Sequence, residues 1–513
     1  MLVTARRTAA ALGAAALLLA ATGSAAARAA VFHVSVGAPQ GRRIAPDYLG
    51  LALEYRSLPG FVGSRGAAVN PVLTQLIHNL VPRGRPVLRI GGQSTDRTWW
   101  PVRGTRRPLG VTYSLTPRWT ASVRALAQAV NARLILGVGL EANRPSLAAT
   151  EARQLVSRIG PGYIAALEPG NEPELYPETP WYRTLHGAPI PWYSHDGVPV
   201  YARPRKYGPS EFYGEFSRAL GLLRGLPVAG PSVGRVPWLD GVSRFLAPSS
   251  RVKMVTWHAY GLNQCVTDRS SPAYPSVPNL LSLRASRNLM DGISPVVARS
   301  HGVGATFRID EMNSVTCNGR IGVSDTFASA LWVMDALFAV ATDGVDGVNI
   351  HTFDEAANGL FDFDRVAGQW QAIVHPLYYG LMMFAQAAPS GSRLLRITSD
   401  AQDHVRAWAT RGPDHRTRVL LINDSLRDRA TVEVRAGAAT GRASLSWLQA
   451  RSAYAKQGVT LGGASFGART ATGVLAPARV APARVAIVAP HAGVYRVTLP
   501  AASAALVTLG PGA

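Results

Sequence analysis

The chain has 513 residues, 47% hydrophobic and 16% charged, an ordinary globular composition for one large domain and a smaller one. Its formal net charge of +22 comes from scattered arginines without the basic runs and interleaved aromatics of nucleic-acid-binding proteins, so we expect no nucleic-acid partner. A polyanionic substrate, an anionic surface or a genomic bias toward arginine would each explain the charge.

The N-terminal segment has the features of a secretory signal peptide. Arg6 and Arg7 precede an apolar run over 8–23, and small residues follow, with Ala-x-Ala cleavage sites after Ala27 or Ala29. The run is too short to span a membrane, and no other stretch is long and apolar enough to do so. We therefore predict a signal peptide over 1–29 and a secreted, extracellular protein without a transmembrane segment.

Between about residue 45 and residue 385, short apolar strands alternate with helical patterns. Strands are predicted over 48–55, 87–92, 133–140, 164–170, 227–233, 252–260, 305–311 and 345–353. Helices are predicted over 71–80, 116–132, 147–159, 210–223, 279–301 and 324–342, with a weaker one over 238–246. Eight such units predict a (β/α)8 TIM barrel over 45–385, with a doubly wound sheet as the alternative.

Three long irregular stretches, 93–118, 175–209 and 261–278, each follow the C-terminal end of a predicted strand. Function lies at this face of a (β/α)8 barrel, so these loops predict a shaped cleft there. The stretch 175–209 is rich in aromatic residues, which either pack the insertion or border the cleft as platforms for sugar rings.

Beyond residue 385 the helical periodicity gives way to alternating strands, over 405–409, 419–422, 431–434, 443–448, 485–488, 495–498 and 505–509. This pattern predicts a C-terminal β-sandwich domain over 386–513. We expect the domain to cover one flank of the barrel, and a carbohydrate-binding module is the alternative.

Two glutamates at strand ends are the candidate catalytic residues. Glu172 follows Asn171 at the end of the fourth predicted barrel strand, and Glu311 lies at the end of the seventh. One carboxyl can protonate a leaving oxygen while the Asn amide binds a sugar hydroxyl, and a second carboxylate completes the set for cleaving a glycosidic bond. The alternative is that both carboxylates only hold loop amides.

Three further strand-end residues are candidate supports for Glu311. Arg89 would hold its carboxylate ionised, as a nucleophile requires, or would bridge strand ends structurally. Tyr260 would orient Glu311 through a hydrogen bond and contact the substrate, and His258 lies beside it on the sixth strand. A satisfied core histidine or tyrosine is the alternative for each.

Glu54, His351 and Asp96 also lie at or just after strand ends, where they are expected to bind substrate hydroxyls. The histidines lack the spacing of metal ligands, so we expect neither a metal nor a cofactor. Cys265 and Cys317 fall in the loops above two adjacent strands, which predicts a disulfide in an exported protein.

These motifs together resemble glycoside hydrolase family 79, the β-glucuronidase and heparanase family of clan A. The resemblance rests on L-E-P-G-N-E-P-E-L at 167–175, D-E-M-N-S-V at 310–315, L-R-I-G-G at 88–92, T-W-W at 98–100, W-H-A-Y at 257–260 and Cys317. It implies hydrolysis with retained anomeric configuration, Glu172 as acid/base and Glu311 as nucleophile. It also implies that the N-terminal strand, within 30–44, packs into the C-terminal β-domain.

The resemblance therefore predicts an exo-acting β-glucuronidase, with a glucuronide, glycan or glycoconjugate as its substrate. Family members commonly bind the sugar carboxylate with a Gly-Tyr pair after the eighth strand, where this chain has H-T-F-D-E-A-A-N-G-L-F at 351–361. We expect Asp354 and Glu355 to face outward, and Asn358, nearby amides and Arg365 or Arg97 to bind the carboxylate. The alternatives are a neutral sugar (xyloside, arabinoside or glucoside) and a catalytically silent glycan-binding protein.

Overall fold

The computed structural model describes residues 31–511, except 65, 67, 224, 402–403, 438–440, 479–485, 489 and 492. The predicted signal peptide over 1–29 lies outside the described residues. Within the described part of the chain, no helix has the length and hydrophobicity needed to cross a membrane.

The first sixteen strands are β1 (Val31–Arg43), β2 (Leu49–Glu54), β3 (Val87–Gly91), β4 (Thr98–Trp99), β5 (Tyr113–Ser114), β6 (Arg133–Val138), β7 (Ile164–Pro169), β8 (Tyr182–Leu185), β9 (Ala188–Ile190), β10 (Val198–Val200), β11 (Val228–Val233), β12 (Val252–Leu262), β13 (Thr306–Val315), β14 (Gly347–Thr352), β15 (Phe361–Val366) and β16 (Gln369–Val374). They are followed by β17 (Arg393–Ser399), β18 (Val405–Arg411), β19 (Arg416–Asn423), β20 (Ala430–Arg435), β21 (Ala443–Gln449), β22 (Thr460–Leu461), β23 (Ala464–Ser465), β24 (Ala476–Pro477), β25 (Ala486–Val488), β26 (Val494–Leu499) and β27 (Ser503–Pro511). The α-helices are α1 (Leu58–Val62), α2 (Pro71–Leu80), α3 (Pro117–Ala129), α4 (Pro145–Ile159), α5 (Pro209–Leu222), α6 (Val236–Leu239), α7 (Val277–Leu280), α8 (Leu283–Arg287), α9 (Ser294–Gly302), α10 (Phe327–Thr342) and α11 (Pro376–Ala387).

Eight parallel strands close into a barrel in the order β2, β3, β6, β7, β11, β12, β13 and β14, which confirms the predicted (β/α)8 fold. Strands β2, β3, β11 and β14 are buried along their whole length, because helices cover the outside of the barrel and packed side chains fill the inside. Helix α2 begins at Pro71 as predicted, and the side chain of Asn70 accepts hydrogen bonds from its first free amides.

Two helix predictions in the second half of the barrel are corrected by the structure. The single helix predicted over 279–301 is wrong, because α7, α8 and α9 are separate, with a 3-10 turn at Asn288–Met290 between α8 and α9. Gly292 has φ +77° and Pro295 lies in the first turn of α9, the part of a helix in which proline is tolerated. Helix α11 was not predicted because it is apolar on nearly all faces, so its sequence lacks an amphipathic period.

The stretches expected to be irregular contain small sheets of their own. Strands β8, β9 and β10 form a three-stranded sheet inside the long insertion after β7, and β4 pairs with β5 in the loop after β3. Strands β15 and β16 form a hairpin after β14. Each of these sheets follows the C-terminal end of a barrel strand, so all three surround the same face of the barrel.

The C-terminal strands form a sheet that includes the N-terminal strand, and the predicted β-sandwich domain is present. Strand β1 pairs antiparallel with β17 and parallel with β20. Residues from strands far apart in the sheet, such as Leu445 and Val432, belong to one buried cluster, so the sheet folds over itself. Successive side chains of β19 point to opposite faces of the sheet. Val419 and Leu421 face the sandwich interior, and Leu420 and Ile422 belong to the barrel core.

Candidate active site

The loop after β7 aims Glu172 at the mouth of the barrel through an unusual backbone conformation. Gly170 has φ +78°, and Glu172 itself has φ +45°, a left-handed conformation that is uncommon for a residue with a side chain. The Glu172 amide donates to the Ser232 carbonyl oxygen at 2.9 Å, and Pro173 starts a 3-10 turn directly afterward. The neighbouring strand end therefore holds Glu172 in a conformation that an unsupported loop would avoid.

An irregularity in β13 brings two consecutive acidic residues to the same buried cation. Adjacent side chains of a regular strand point to opposite faces, but the pairing of β13 with β14 shifts register between Ile309 and Met312. As a result, Asp310 Oδ2 lies 2.8 Å from Arg89 Nε and Glu311 Oε2 lies 2.7 Å from Arg89 Nη1. The strand continues to Val315, so Glu311 lies within β13 and not at its end as predicted.

Arg89, on β3, is completely buried and connects three other barrel strands, β7, β11 and β13. Its Nε lies 2.7 Å from Glu168 Oε2, in addition to its contacts with β13. Its Nη2 donates to Asn171 Oδ1 and to Ser232 Oγ, both at 2.9 Å. A guanidinium presents its N–H groups in one plane, so it fixes all of these partners at once.

Glu311 is held as a carboxylate. Burial alone would raise the pKa of Glu311, but the charges of His351, His258 and Arg89 and a hydrogen bond from Tyr260 hold that pKa well below its usual range. The Tyr260 hydroxyl donates to Glu311 Oε1 at 2.7 Å, and His351 Nδ1 lies 3.3 Å from the same oxygen. An ionised, oriented carboxylate in a dry site is what a nucleophile requires.

Glu172 has a different environment from Glu311. Its side chain is 25% exposed, and its Oε1 lies 2.9 Å from His258 Nδ1. Burial opposes the charged form of His258, but Glu311, the hydrogen bond to Glu172 and Asp310 raise the pKa of His258 to about 10. A carboxylate oxygen of Glu172, a ring nitrogen of His258 and a carboxylate oxygen of Glu311 all lie within 4.8 Å of one another.

This group of three could in principle ligate a metal ion, but its electrostatics oppose a cation. Arg89 contacts Glu311, and the raised pKa of His258 keeps a proton where a metal would bind. We therefore interpret the closeness of the two carboxylates as an arrangement for acid, base and nucleophilic chemistry.

Glu168 and Asp310 form a buried carboxyl pair that the sequence analysis did not single out. Oε1 of Glu168 and Oδ1 of Asp310 are buried without a hydrogen-bond donor among the described residues, and Asp310 Oδ2 has its ion pair with Arg89 Nε. Burial and the charge of Glu168 raise the pKa of Asp310 well above its usual range, whereas Arg89 overcomes the effect of burial and lowers the pKa of Glu168. We interpret these opposite pKa directions as one proton held by the pair, on Asp310, beside an ionised Glu168.

Ser232 and Glu174 were also missed. The Ser232 hydroxyl lies 3.1 Å from His258 Nε2 and accepts from Arg89, so it joins the two cations that flank the carboxylates. Glu174 is buried two residues after Glu172, its Oε1 accepts from the Gly234 amide at 2.5 Å, and its Oε2 has no partner among the described residues. The acidic motif at 172–174 was the available signal for Glu174, whereas nothing in the sequence pointed to Ser232.

Glu54 and Asp96 were expected to bind substrate hydroxyls, but the structure ties both to protein groups. Glu54 accepts from the Ser94 amide and hydroxyl and lies 3.2 Å from His351 Nε2, so it acts through that histidine. Asp96 accepts from the amides of Leu140 and Glu141 and from the Asn171 amide. Asp96 therefore fixes the backbone that presents Asn171.

The side chain of Asn171 is oriented for a ligand. Its Oδ1 accepts from Arg89, and its Nδ2 has no hydrogen-bond partner among the described residues. Asn171, Glu172, Glu311, Tyr260, Arg89, His258 and His351 all lie in one contact network, so the structure brings these predicted residues together.

The residues expected to bind a sugar carboxylate are already engaged elsewhere. Asn358 Nδ2 donates to the Val315 carbonyl, and the Gly359 amide donates to Ala356. Arg97 donates to the carbonyl oxygens of Trp181 and Pro180, and Arg365 lies over the Trp370 ring. Asp354 and Glu355 are exposed, as expected.

The predicted disulfide is not present in the structure. Cys265 and Cys317 are free thiols, and their sulfur atoms lie 3.9 Å apart. The loops after β12 and β13 do bring the two cysteines together, so the predicted proximity is observed without the bond.

No protein-family model matches the sequence, and no curated protein is similar to it. Solved structures do resemble it. A 4-O-α-L-rhamnosyl-β-D-glucuronidase from Fusarium oxysporum 12S is 19% identical, with a TM-score of 0.70 over 93% of this chain and 100% of that chain. A GH51 arabinofuranosidase from Xanthomonas axonopodis pv. citri is 14% identical, with a TM-score of 0.61 over 93% of this chain and 99% of that one. The chain therefore has the fold of the clan A glycoside hydrolases, and at these identities the likeness establishes the fold alone.

Matched amide substitutions test the proton shared beneath Arg89. Asp310→Asn keeps a donor toward Glu168, so the free energy of unfolding at pH 7 should change by no more than about 1 kcal/mol. Glu168→Gln removes the charge that balances Arg89, and should cost roughly 3–5 kcal/mol. Denaturant unfolding of both variants measures the difference. Equal losses in the two variants would show that Asp310 is ionised and that no proton is shared.

The pH dependence of stability tests the environment of Glu174. Burial and the charge of Glu172 raise the pKa of Glu174 to about 7, above its value in the unfolded chain. The unfolded chain therefore releases this proton at a lower pH than the folded chain does. As a result, the contribution of Glu174 to the free energy of unfolding falls as pH rises from about 4.5 through 7. Relative to Glu174→Gln, the wild type should lose on the order of 3 kcal/mol between pH 4 and pH 8.5. A pH-independent difference between the two proteins would contradict this assignment.

Proposed function

We propose that this protein is a secreted glycoside hydrolase that cleaves β-glycosides with retention of configuration. The observation that carries the proposal is a pair of carboxyl groups at the mouth of the barrel, with one oxygen of each within 4.8 Å of the other. Arg89 and Tyr260 hold one of them ionised, and the other is partly open to solvent. Retaining glycosidases place their two carboxyl groups roughly 5–5.5 Å apart, and inverting enzymes need a wider gap for water. Secretion rests on the N-terminal sequence.

In the first step, a Glu311 oxygen attacks the anomeric carbon while the bond to the leaving oxygen breaks. Glu172 transfers its proton to that oxygen, and His258 pairs with the carboxylate that remains. Asn171 Nδ2 is placed to bind a hydroxyl of the reacting sugar. Tyr260 and His351 hold Glu311 in line for the attack.

In the second step, ionised Glu172 accepts a proton from water, which attacks the same carbon and releases Glu311. Two inversions at one carbon return the product to the configuration of the substrate. The charge of Arg89 balances that of Glu311 whenever Glu311 is ionised. The other contacts of Arg89 hold the side chains of Asn171 and Ser232 in place during both steps.

The sugar we propose is a β-glucuronide. The motif resemblance to family 79 implies it, the similar Fusarium protein is a glucuronidase, and the net positive charge favours anionic substrates. A neutral sugar is the second candidate, because the residues expected to bind the sugar carboxylate, Asn358, Gly359, Arg97 and Arg365, are already bonded to other protein groups. A catalytically silent glycan-binding protein is disfavoured, because both carboxyl groups are assembled together with Arg89, Tyr260 and His258.

A panel of aryl β-glycosides tests the proposal. The purified protein should release 4-nitrophenol from the β-glucuronide faster than from the matching glucoside, xyloside or arabinoside, and proton NMR should show the β-anomer forming first. Glu311→Gly should abolish release while its circular dichroism spectrum stays unchanged. Preference for a neutral sugar would replace the glucuronide assignment, whereas an α-anomer formed first, or an active Glu311→Gly variant, would refute the mechanism.

A further inference from the structure

A cavity of about 530 Å³ lies between the insertion after β7 and the loop that follows β11, and Glu174, two residues after Glu172, is in its wall. Glu174, Glu178, Tyr201, Arg205, Arg235 and Trp238 are among its lining residues. Its volume falls within the roughly 300–1,000 Å³ that small-molecule sites occupy. None of the residues assigned to the two catalytic steps lines it.

The cavity is on the acid/base side of the site. Glu174, in its wall, belongs to the 3-10 turn that starts directly after Glu172. A Cβ atom placed on Gly234 would lie 3.6 Å from Glu174 Oε1 and 3.7 Å from Glu172 Oε1, so both carboxyl groups border the same glycine. Arg235, the next residue, is part of the cavity wall.

The position of the acid/base identifies which part of a substrate would enter the cavity. Glu172 must reach the oxygen between the cleaved sugar and the leaving group. The leaving group therefore extends past Glu172, away from Glu311, and we assign it to this cavity because Glu174 and Arg235, in the cavity wall, flank the glycine that Glu172 borders. This step rests on the function proposed above.

The lining has the chemistry of a sugar site. The Tyr201 ring is 39% exposed, and Trp238 is packed behind the cavity against Tyr207. Arg235 is held by two hydrogen bonds to Glu178, at 2.7 and 2.6 Å. Arg205 is exposed and has no carboxylate partner among the described residues. A ring platform with donors and acceptors of both charges suits a polyhydroxylated ring better than an apolar aglycone.

We propose that this cavity binds a second sugar unit as the leaving group, so the enzyme acts on glycans or oligosaccharides and not chiefly on small conjugates. In the second step, the same cavity receives an acceptor sugar, whose hydroxyl takes the place of water. The acceptor hydroxyl gives its proton to Glu172, its oxygen bonds to the anomeric carbon, and Glu311 leaves as the carboxylate.

The test compares two substrates that share the sugar selected by the aryl panel, one linked to 4-nitrophenol and one β-linked to glucose. Tyr201→Ala and Arg205→Ala should each lower kcat/KM for the disaccharide at least about tenfold, the effect of losing one good contact. Both should stay within about twofold of wild type on the aryl glycoside, whose good leaving group needs little binding. Tyr193→Ala is the matched control, because Tyr193 is 64% exposed on the same insertion and does not line the cavity.

A second readout measures transfer of the sugar from the aryl glycoside to free glucose. The ratio of transfer to hydrolysis should fall in Tyr201→Ala and Arg205→Ala and stay at the wild-type value in Tyr193→Ala. Equal changes in kcat/KM on both substrates, or variants that match the wild type on the disaccharide, would overturn the proposal. If Tyr201→Ala does not fold, the result for Arg205→Ala decides the test. Failure of the wild-type protein to cleave any aryl glycoside would instead refute the proposed function.

Discussion

The buried guanidinium of Arg89 is the interaction on which the rest of the site depends. A cation removed from water must be matched by anions and hydrogen-bond acceptors, or it destabilises the fold by several kcal/mol. Here the match comes from Glu168, Asp310, Glu311, Asn171 and Ser232, which lie on three other parts of the barrel wall. The contacts that offset the cost of burying Arg89 therefore also position the candidate catalytic residues. One network thus determines both the stability of the fold and the geometry of the candidate site.

The parallel barrel makes this convergence possible. All eight strands present their C-terminal ends at one face, so residues more than two hundred positions apart, such as Arg89 and Glu311, meet there. The network also gives the two carboxyl groups different environments. Glu311 is surrounded by Arg89, His258, His351 and a tyrosine hydroxyl, whereas Glu172 has one histidine and an opening to solvent. Different surroundings of this kind are what the proposed division into nucleophile and acid/base requires.

The sequence predicted the barrel and singled out the two glutamates that the structure brings together, because strand periodicity and strand-end motifs are local signals. It did not predict that Asp310 would join Glu311 at Arg89, because regular alternation places consecutive residues on opposite faces, and the register shifts at this point of β13 arise from its pairing with both β12 and β14. It also assigned Glu54 and Asp96 to the substrate, since the hydrogen bonds that occupy them come from the distant residues His351 and Leu140. Helix α11 was not predicted, because a helix that is buried on nearly every side has no amphipathic pattern in its sequence.

The most direct test of the account is to identify the residue that carries the glycosyl-enzyme intermediate. A 2,4-dinitrophenyl 2-deoxy-2-fluoro-β-glycoside of the preferred sugar combines a good leaving group with a fluorine that slows breakdown of the intermediate. Peptide mass spectrometry should then find one glycosyl group on Glu311, and none in the protein preincubated with an excess of the natural sugar's aryl glycoside. A label on Glu172 or on Asp310, or turnover with no covalent adduct and an inverted product, would contradict the central claim.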